Sequence, residues 1–146
     1  MSKQKKTRKW PKGTKVWYYC NIYPGAKIGK NVNIGSYCEI RDQTEIGDGT
    51  RLQAFVFIPE KVKIGKNCFI GPHVVFTNDK YPPSSKKSWQ KTIVEDNVAI
   101  GANCTIICGV KIGKGALIGA GSVVTEDIPP AVVVYGVPAR IKRKRY

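Results

Sequence analysis

Ile28-Gly29-Lys30-Asn31-Val32-Asn33-Ile34-Gly35-Ser36-Tyr37-Cys38-Glu39-Ile40 decides the fold, because an aliphatic residue returns at every sixth position and glycine twice follows it. The same beat continues on both sides. Val16 and Ile22 precede it; Ile46, Leu52, Ile58, Ile64, Ile70 and Phe76 follow, and after an interruption come Val94, Ile100, Ile106, Ile112, Ile118 and Val124. Four residues beyond the aliphatic stands a small or β-branched one, as in Val32, Cys38, Thr44, Thr50, Cys68, Val98, Cys104, Ala116 and Ser122. Each unit therefore reads aliphatic, Gly, two variable positions, a small residue and one more variable position, which marks a repeat protein.

A helix does not fit this period, since six residues advance it by about 600° and scatter the aliphatics around all sides. Short strands fit it. In Val32-Asn33-Ile34 and Val110-Lys111-Ile112 the outer residues point one way and the middle one the other, as a pleat requires. Stacked turns of such strands bury the aliphatics as a ladder with about 4.8 Å per layer, and each buried Ile contributes on the order of 1.5–3 kcal/mol. Helix-forming patterns are absent before the last dozen residues.

The 146 residues suit one domain. The net charge of +15 is concentrated at the ends: residues 1–15 hold seven Lys/Arg and residues 140–145 hold five, leaving thirteen to face all ten acids. Such ends either stay solvated or meet a polyanion, whether nucleic acid, an acidic membrane surface or a phosphorylated small molecule. No apolar run follows the Lys-rich start and none reaches membrane-spanning length, so the expectation is a soluble, cytoplasmic protein with no membrane partner. The five cysteines form no CxxC pair, and four of them (Cys20, Cys38, Cys68 and Cys104) occupy the small-residue slot as buried fillers. With His73 the single histidine, a multi-histidine metal site is not expected within one chain.

The repeat resembles the hexapeptide-repeat acyltransferases. That resemblance implies an all-β, left-handed parallel β-helix with three hexapeptides per triangular coil, and assembly as a homotrimer with sites in the clefts between neighbours. The corresponding division of the chain is a basic tail over 1–15, a β-helix over 16–128 with an extruded loop at 77–93, and a C-terminal cap and basic tail over 129–146. Thr14-Lys15-Val16-Trp17, Arg51-Leu52-Gln53, Gly71-Pro72 and Phe76-Thr77-Asn78-Asp79-Lys80-Tyr81-Pro82 are similar to segments of the sugar-nucleotide N-acetyltransferases that acetylate 3-amino sugars. Gly101-Ala102-Asn103-Cys104-Thr105-Ile106, Gly119-Ala120-Gly121-Ser122 and Gly136-Val137-Pro138-Ala139-Arg140 resemble the C-terminal half of many hexapeptide acyltransferases. Tyr18 and Asn21 stand where that group tends to carry histidine, and Ala54-Phe55 where it carries two asparagines.

The resemblance implies acetyl-CoA as co-substrate, no metal, and a UDP- or dTDP-linked amino sugar as acceptor, destined for a surface polysaccharide or glycan. Hydroxyl-acetylating relatives place a histidine before the proline of this loop, where this chain has Tyr81. A hydroxyl needs a general base; a deprotonated amine already carries a lone pair. The expected catalytic residues are Asn78, bonding the amine or a neighbouring hydroxyl; Asp79, either ordering the loop or taking a proton; and His73, either a base or a structural residue. Gln53, Glu60, Tyr81 and Trp89 are the expected substrate contacts. Gly101, Ala102, Gly119 and Ala120 are expected to leave room for pantetheine, with Arg140, Lys142 and Arg143 on the CoA phosphates. Acetylation of a sugar hydroxyl or of serine, or a non-catalytic scaffold with basic tails, are the alternatives; nucleic acid is not the expected partner.

Overall fold

The computed structural model describes residues 8–146; the first seven residues of the basic 1–15 tail lie outside the described part. The six-residue beat becomes a run of two- and three-residue strands, from Lys15–Val16 to Val123–Val124, each ending on the ladder aliphatic. These strands sort into three parallel sheets. Residue 15 pairs with 33, 33 with 51 and 51 with 69, so each coil consumes eighteen residues before it returns to register. The result is a left-handed parallel β-helix of about seven coils.

The aliphatics fill the interior as the pleat argument requires. Ile34, Ile40, Leu52, Ile58, Ile70, Phe76, Ile100, Ile106 and Ile112 have no measurable exposure, while Val16, Ile22 and Ile28 at the open N-terminal end are only partly covered. The small-residue slot does more than fill space. Its thiols and hydroxyls donate to a carbonyl fifteen residues ahead in six instances: Thr14 to Gly29 O, Cys20 to Gly35 O, Cys38 to Gln53 O, Thr44 to Pro59 O, Thr50 to Gly65 O, and, past the loop, Cys104 to Gly119 O, all at 2.7–3.1 Å. A small side chain with a donor is therefore favoured where a corner carbonyl would otherwise be buried without a partner.

The corners need a residue with positive φ in most coils. One corner supplies it largely from Asn and Gly, with Asn31, Gly49, Asn67, Asn97 and Gly115 at φ values between 53° and 73°. Another supplies it from aromatic residues, with Tyr19, Tyr37, Phe55 and His73 at 60–63°. Glycine after the ladder residue answers a different constraint. A Cβ on Gly47 would lie 2.6 Å from the Gly65 carbonyl, and one on Gly71 would lie 2.7 Å from Ala102 N.

Two boundaries differ from the sequence expectation. Thr92 and Ile93, counted with the loop, pair with Val62 and Lys63 in the strand Thr92–Val94, so the extruded segment is 77–91. The last dozen residues are not helical: Ala139–Lys144 is a strand antiparallel to Val132–Gly136, which itself joins the first sheet beside Leu117–Ile118. The alternating Val132-Val133-Val134 run and the turn at Gly136, with φ 113°, favour a hairpin there. Because Ile58 is fully buried in the ladder, we expect Ile58→Ala to lose about 2–5 kcal/mol of stability in urea unfolding followed by tryptophan fluorescence.

Candidate functional site

The interruption emerges from the corner between the second and third sheets, directly after Val75–Phe76. Its neck is closed by two sets of bonds. Thr77 Oγ1 donates to Ile106 O at 3.3 Å and accepts Cys108 N–H at 3.0 Å; Gln90 N–H donates to Asn78 O at 2.8 Å. Lys61 Nζ donates to Trp89 O at 3.0 Å and draws the returning limb onto the coil beneath.

Asn78 is therefore fixed at the base of the loop. Its Nδ2 donates to Glu60 Oε2 at 3.3 Å, a residue one coil earlier at the same corner. A carboxylate only accepts, so the amide hydrogens face Glu60 and the Asn78 carbonyl oxygen is presented on the other side. Asp79 is occupied within the loop: Oδ1 accepts the Ser84 hydroxyl at 2.7 Å and Tyr81 N–H at 3.3 Å, and Oδ2 accepts Ser84 N–H at 2.7 Å. Those bonds, that from the Ser84 side chain foremost, hold its carboxyl below the ordinary carboxylate range. Of the two roles expected for Asp79, ordering the loop matches this geometry, and a depressed carboxyl is a weaker base. Ser84 was not legible as a functional residue; an Asp five residues before a serine is too common a pattern to single it out.

His73 lies elsewhere. It sits at the corner between the first and second sheets, at the opposite end of Val75–Phe76, with its ring stacked on Phe55 at 4.7 Å between centroids and 10° between planes. Gln53 belongs to the same corner, one coil earlier, with its carbonyl taken by Cys38. A single chain thus brings Glu60, Asn78 and Asp79 to one corner and Gln53 and His73 to another, at opposite ends of the second sheet's strands. Tyr81 is exposed near the loop tip, 5.9 Å from Lys80 Nζ. Trp89 is half-buried against the loop's own base, with Lys86 5.7 Å above its ring.

Gly101 and Ala102, then Gly119 and Ala120, continue the His73 corner toward the C-terminal end. The glycines are required by packing: a Cβ on Gly101 would meet Ala120 N at 2.6 Å, and one on Gly119 would meet Tyr135 Cβ at 2.8 Å. Their N–H groups are spent on the coil ahead, Gly101 to Ile118 O and Gly119 to Val134 O. Beyond them Lys142 Nζ lies 4.8 Å over the Tyr135 ring, Arg140 is held by Glu126 at 3.0 Å, and Arg143 bonds Lys144 O. Cations and small residues thus share one end of one corner, with Tyr135, unassigned from sequence, between them. Among the described residues no group of three or more His, Cys, Asp or Glu is arranged to hold a metal, and no helix is long and apolar enough to cross a membrane.

A parallel β-helix of eighteen-residue coils with one extruded, internally bonded loop defines a class of repeat-built proteins. Residues 12–42 and 43–78 match the family described as bacterial transferase hexapeptide (six repeats), and residues 91–126 match the hexapeptide repeat of succinyl-transferase. The chain belongs to the hexapeptide-repeat family. Over 112 residues it is 39% identical to the bifunctional protein GlmU of Thermotoga maritima, covering 77% of this chain and 24% of that protein. Over 76 residues it is 43% identical to a 2,3,4,5-tetrahydropyridine-2,6-dicarboxylate N-acetyltransferase of Staphylococcus aureus, covering 52% of this chain and 30% of that one. The chain therefore spans a third or less of these curated relatives.

Among solved structures, a hexapeptide-repeat-containing acetyltransferase from Vibrio cholerae superposes with a TM-score of 0.66 at 28% identity, over 92% of this chain and 75% of that one. GDP-perosamine N-acetyltransferase from Caulobacter crescentus, solved with CoA and GDP-perosamine, superposes with a TM-score of 0.80 over 91% of this chain and 58% of that one. At 24% identity the latter likeness is one of fold.

The Asp79 bonds carry a pH dependence. A carboxyl lowered in the folded state stabilises the loop above the ordinary carboxylate range, and the effect is lost as pH falls through the lowered value. We expect the Ser84 amide resonance to lose its shift in that acid range. At neutral pH, Asp79→Asn, which cannot accept on both sides, should speed tryptic cleavage at Lys86-Lys87 severalfold while leaving global melting unchanged.

Proposed function

We propose that the protein is an acetyl-CoA-dependent N-acetyltransferase acting on the amino group, at the 3-position, of a nucleotide-linked amino sugar used in building a polysaccharide. The observation that carries this reading is the Asn78 amide, bonded through Nδ2 to Glu60 while its side-chain oxygen has no partner among the described residues, beside a loop that contains no histidine. A carbonyl oxygen so left accepts an N–H from an amine and aims the nitrogen lone pair away from itself, toward a thioester. The nitrogen attacks the acetyl carbonyl, a tetrahedral adduct forms and collapses, and the CoA thiolate leaves with the electron pair of the broken C–S bond. The proton shed by the nitrogen ends on that thiolate, so the reaction balances without a metal or redox partner.

The relatives support the class of reaction: acetyltransferases recur among them, and the perosamine enzyme was solved with CoA and a nucleotide-linked amino sugar. In the proposed arrangement the chain is a homotrimer. The separation of Gln53 and His73 from Glu60 and Asn78 supports this, because the outer edge of one protomer's second sheet then faces the aromatic corner of the next and completes the site. Glu60 orients Asn78, Asp79 orders the loop, Tyr81 and Trp89 border the sugar nucleotide, and His73 lies across the cleft. The pantetheine arm runs along the corner of Gly101, Ala102, Gly119 and Ala120, toward Arg140, Lys142 and Arg143. Both substrates are metabolites of the cytoplasm, which is the proposed compartment.

The test is thiol release from acetyl-CoA in the presence of UDP- or dTDP-linked 3-amino sugars, with mass analysis of the acetylated product. Asn78→Ala should lower kcat/KM at least tenfold; a change within about threefold, under roughly 0.7 kcal/mol of transition-state stabilisation, would sink its role. His73→Asn should cost less than Asn78→Ala and leave the pH profile in place, whereas a larger loss with a shifted profile would make His73 the proton acceptor.

A further inference from the structure

Cysteines are spread over the whole ladder, but only Cys20 and Cys38 occupy the same slot of successive coils. In that column the later coils carry Val56, Val74, Cys104 and Ser122, and the other two columns hold a single thiol, Cys68. The backbone brings the two residues side by side. Tyr37 N–H donates to Tyr18 O at 3.0 Å on one side of the pair and Asn21 N–H to Cys38 O at 2.9 Å on the other, where Asn21 and Ile22 are in register with Glu39 and Ile40. Stacked positions of neighbouring coils stand about 4.8 Å apart, within the roughly 4.4–6.8 Å between Cα atoms that a disulfide spans.

Each thiol has one hydrogen to give. Cys20 Sγ lies 3.0 Å from Gly35 O and Cys38 Sγ 3.1 Å from Gln53 O, and the two side chains also hydrogen-bond each other. That mutual bond, foremost, holds the Cys20 thiol below its ordinary range, while the same bond and then burial push Cys38 up. The pair is thus divided into a sulfur that ionises and a sulfur that keeps its proton. Cys68 and Cys104, which have no thiol in an adjacent coil of their columns, are both pushed up, chiefly by burial. Since the thiolate is the reactive form, Cys20 is set apart from every other slot thiol.

Both side chains belong to the interior cluster and not to the outward rings of Tyr18 and Tyr19, so a protomer seated against that corner does not stand over them. The approach is along the prism axis, past Val16, Ile22 and Ile28 of the first coil, which are only partly buried. A small neutral oxidant fits such a path. The slot itself asks only for a compact side chain, as Val56 and Ser122 show, so packing alone does not call for two thiols in succession.

We propose that Cys20 and Cys38 form a peroxide-oxidisable dithiol that closes to a disulfide joining the first and second coils. The Cys20 thiolate attacks one oxygen of hydrogen peroxide, the O–O bond breaks, and the departing hydroxide leaves as water once protonated, which makes Cys20 a sulfenic acid. Cys38 sulfur then attacks Cys20 sulfur, the S–O bond breaks, and the hydroxide departs as a second water with the Cys38 proton. Two thiols are oxidised and one peroxide is reduced. In the disulfide neither sulfur has a hydrogen for Gly35 O or Gln53 O, so the change reaches the corner that Gln53 shares with His73. The proposal stands independently of the acetyl-transfer reading, because its test reads thiols and masses.

The full chain, reduced and then freed of reductant, is exposed to hydrogen peroxide at neutral pH, its remaining thiols are blocked with N-ethylmaleimide, and it is digested with trypsin without reduction. Cleavage after Lys15, Lys27, Lys30 and Arg41 leaves the two cysteines in separate peptides, 16–27 and 31–41, so the disulfide appears as one linked mass two hydrogens below their sum. It is expected about tenfold or more sooner than oxidation of Cys68 or Cys104, and dithiothreitol should restore both thiols. In Cys38→Ala, Cys20 should stop at the sulfenic acid and be trapped by dimedone; in Cys20→Ala, Cys38 should stay reduced over the same time. Alanine and serine fill the slot at Ala116 and Ser122, and the wild-type map stands even where a variant fails to fold. The proposal is overturned by oxidation of all the thiols at like rates, by the absence of the linked peptide, or by its formation only in urea. Linkage of Cys20 to a cysteine of another chain, or trapping of Cys38 in place of Cys20, also overturns it.

Discussion

Every coil must return to register after eighteen residues, and that closure is the constraint from which the other features follow. Backbone N–H groups of one coil bond carbonyls of the next, as Asn33 to Thr50 O at 3.0 Å and Glu39 to Val56 O at 3.0 Å, so a missing or extra residue would displace every later side chain from its layer. An insertion is tolerated only where the chain leaves the prism and comes back to the same point. The loop meets that condition: Phe69 pairs with Ala99, thirty residues on, and the surplus is gathered at a neck bonded between Asn78 and Gln90. The segment that can vary without breaking the ladder is therefore also the segment free to carry chemistry.

The ladder was legible because burial repeats: Ile34, Ile40, Ile58 and their equivalents are apolar for one reason, and a period in the sequence states that reason many times over. The corners were not legible in the same way. Tyr19, Tyr37, Phe55 and His73 stand at positive φ, which aromatic residues enter at a cost, so residue preference gave no hint that they share a corner position. What offsets the cost is visible only across coils, where each ring lies over the next. The glycines answer a packing demand that their sequence positions do not separate from ligand binding. Gly101 and Gly119 read naturally as openings for a ligand, yet each is demanded by the backbone or Cβ of the following coil and would be needed without any ligand.

The candidate site was partly legible for a similar reason. Asn78 and Asp79 stood out because they break the beat, but which of them is free to act depends on partners that the sequence does not align. Glu60 reaches Asn78 only because eighteen residues make one coil, and Ser84 takes Asp79 out of use through a turn peculiar to this loop. A pair eighteen residues apart is as close here as an i, i+4 pair on a helix. In a solenoid, then, residues should be compared at the coil period before they are compared along the chain.

The same periodicity explains how one small prism can hold separate surfaces. Corners are independent stripes: one carries Asn, Gly and Asp turns, one carries stacked rings that give way to glycine, and one carries the loop. Along each stripe the character changes from end to end because successive coils contact only their neighbours. The aromatic corner shows it most plainly, with Tyr19 exposed at the cationic N-terminal end, His73 midway, and Gly101 and Gly119 beside the basic C-terminal hairpin. A globular core would couple such substitutions through shared packing. Here an acid-free first coil costs the ladder nothing, because charge sits on outward positions while the inward ones keep their Val and Ile.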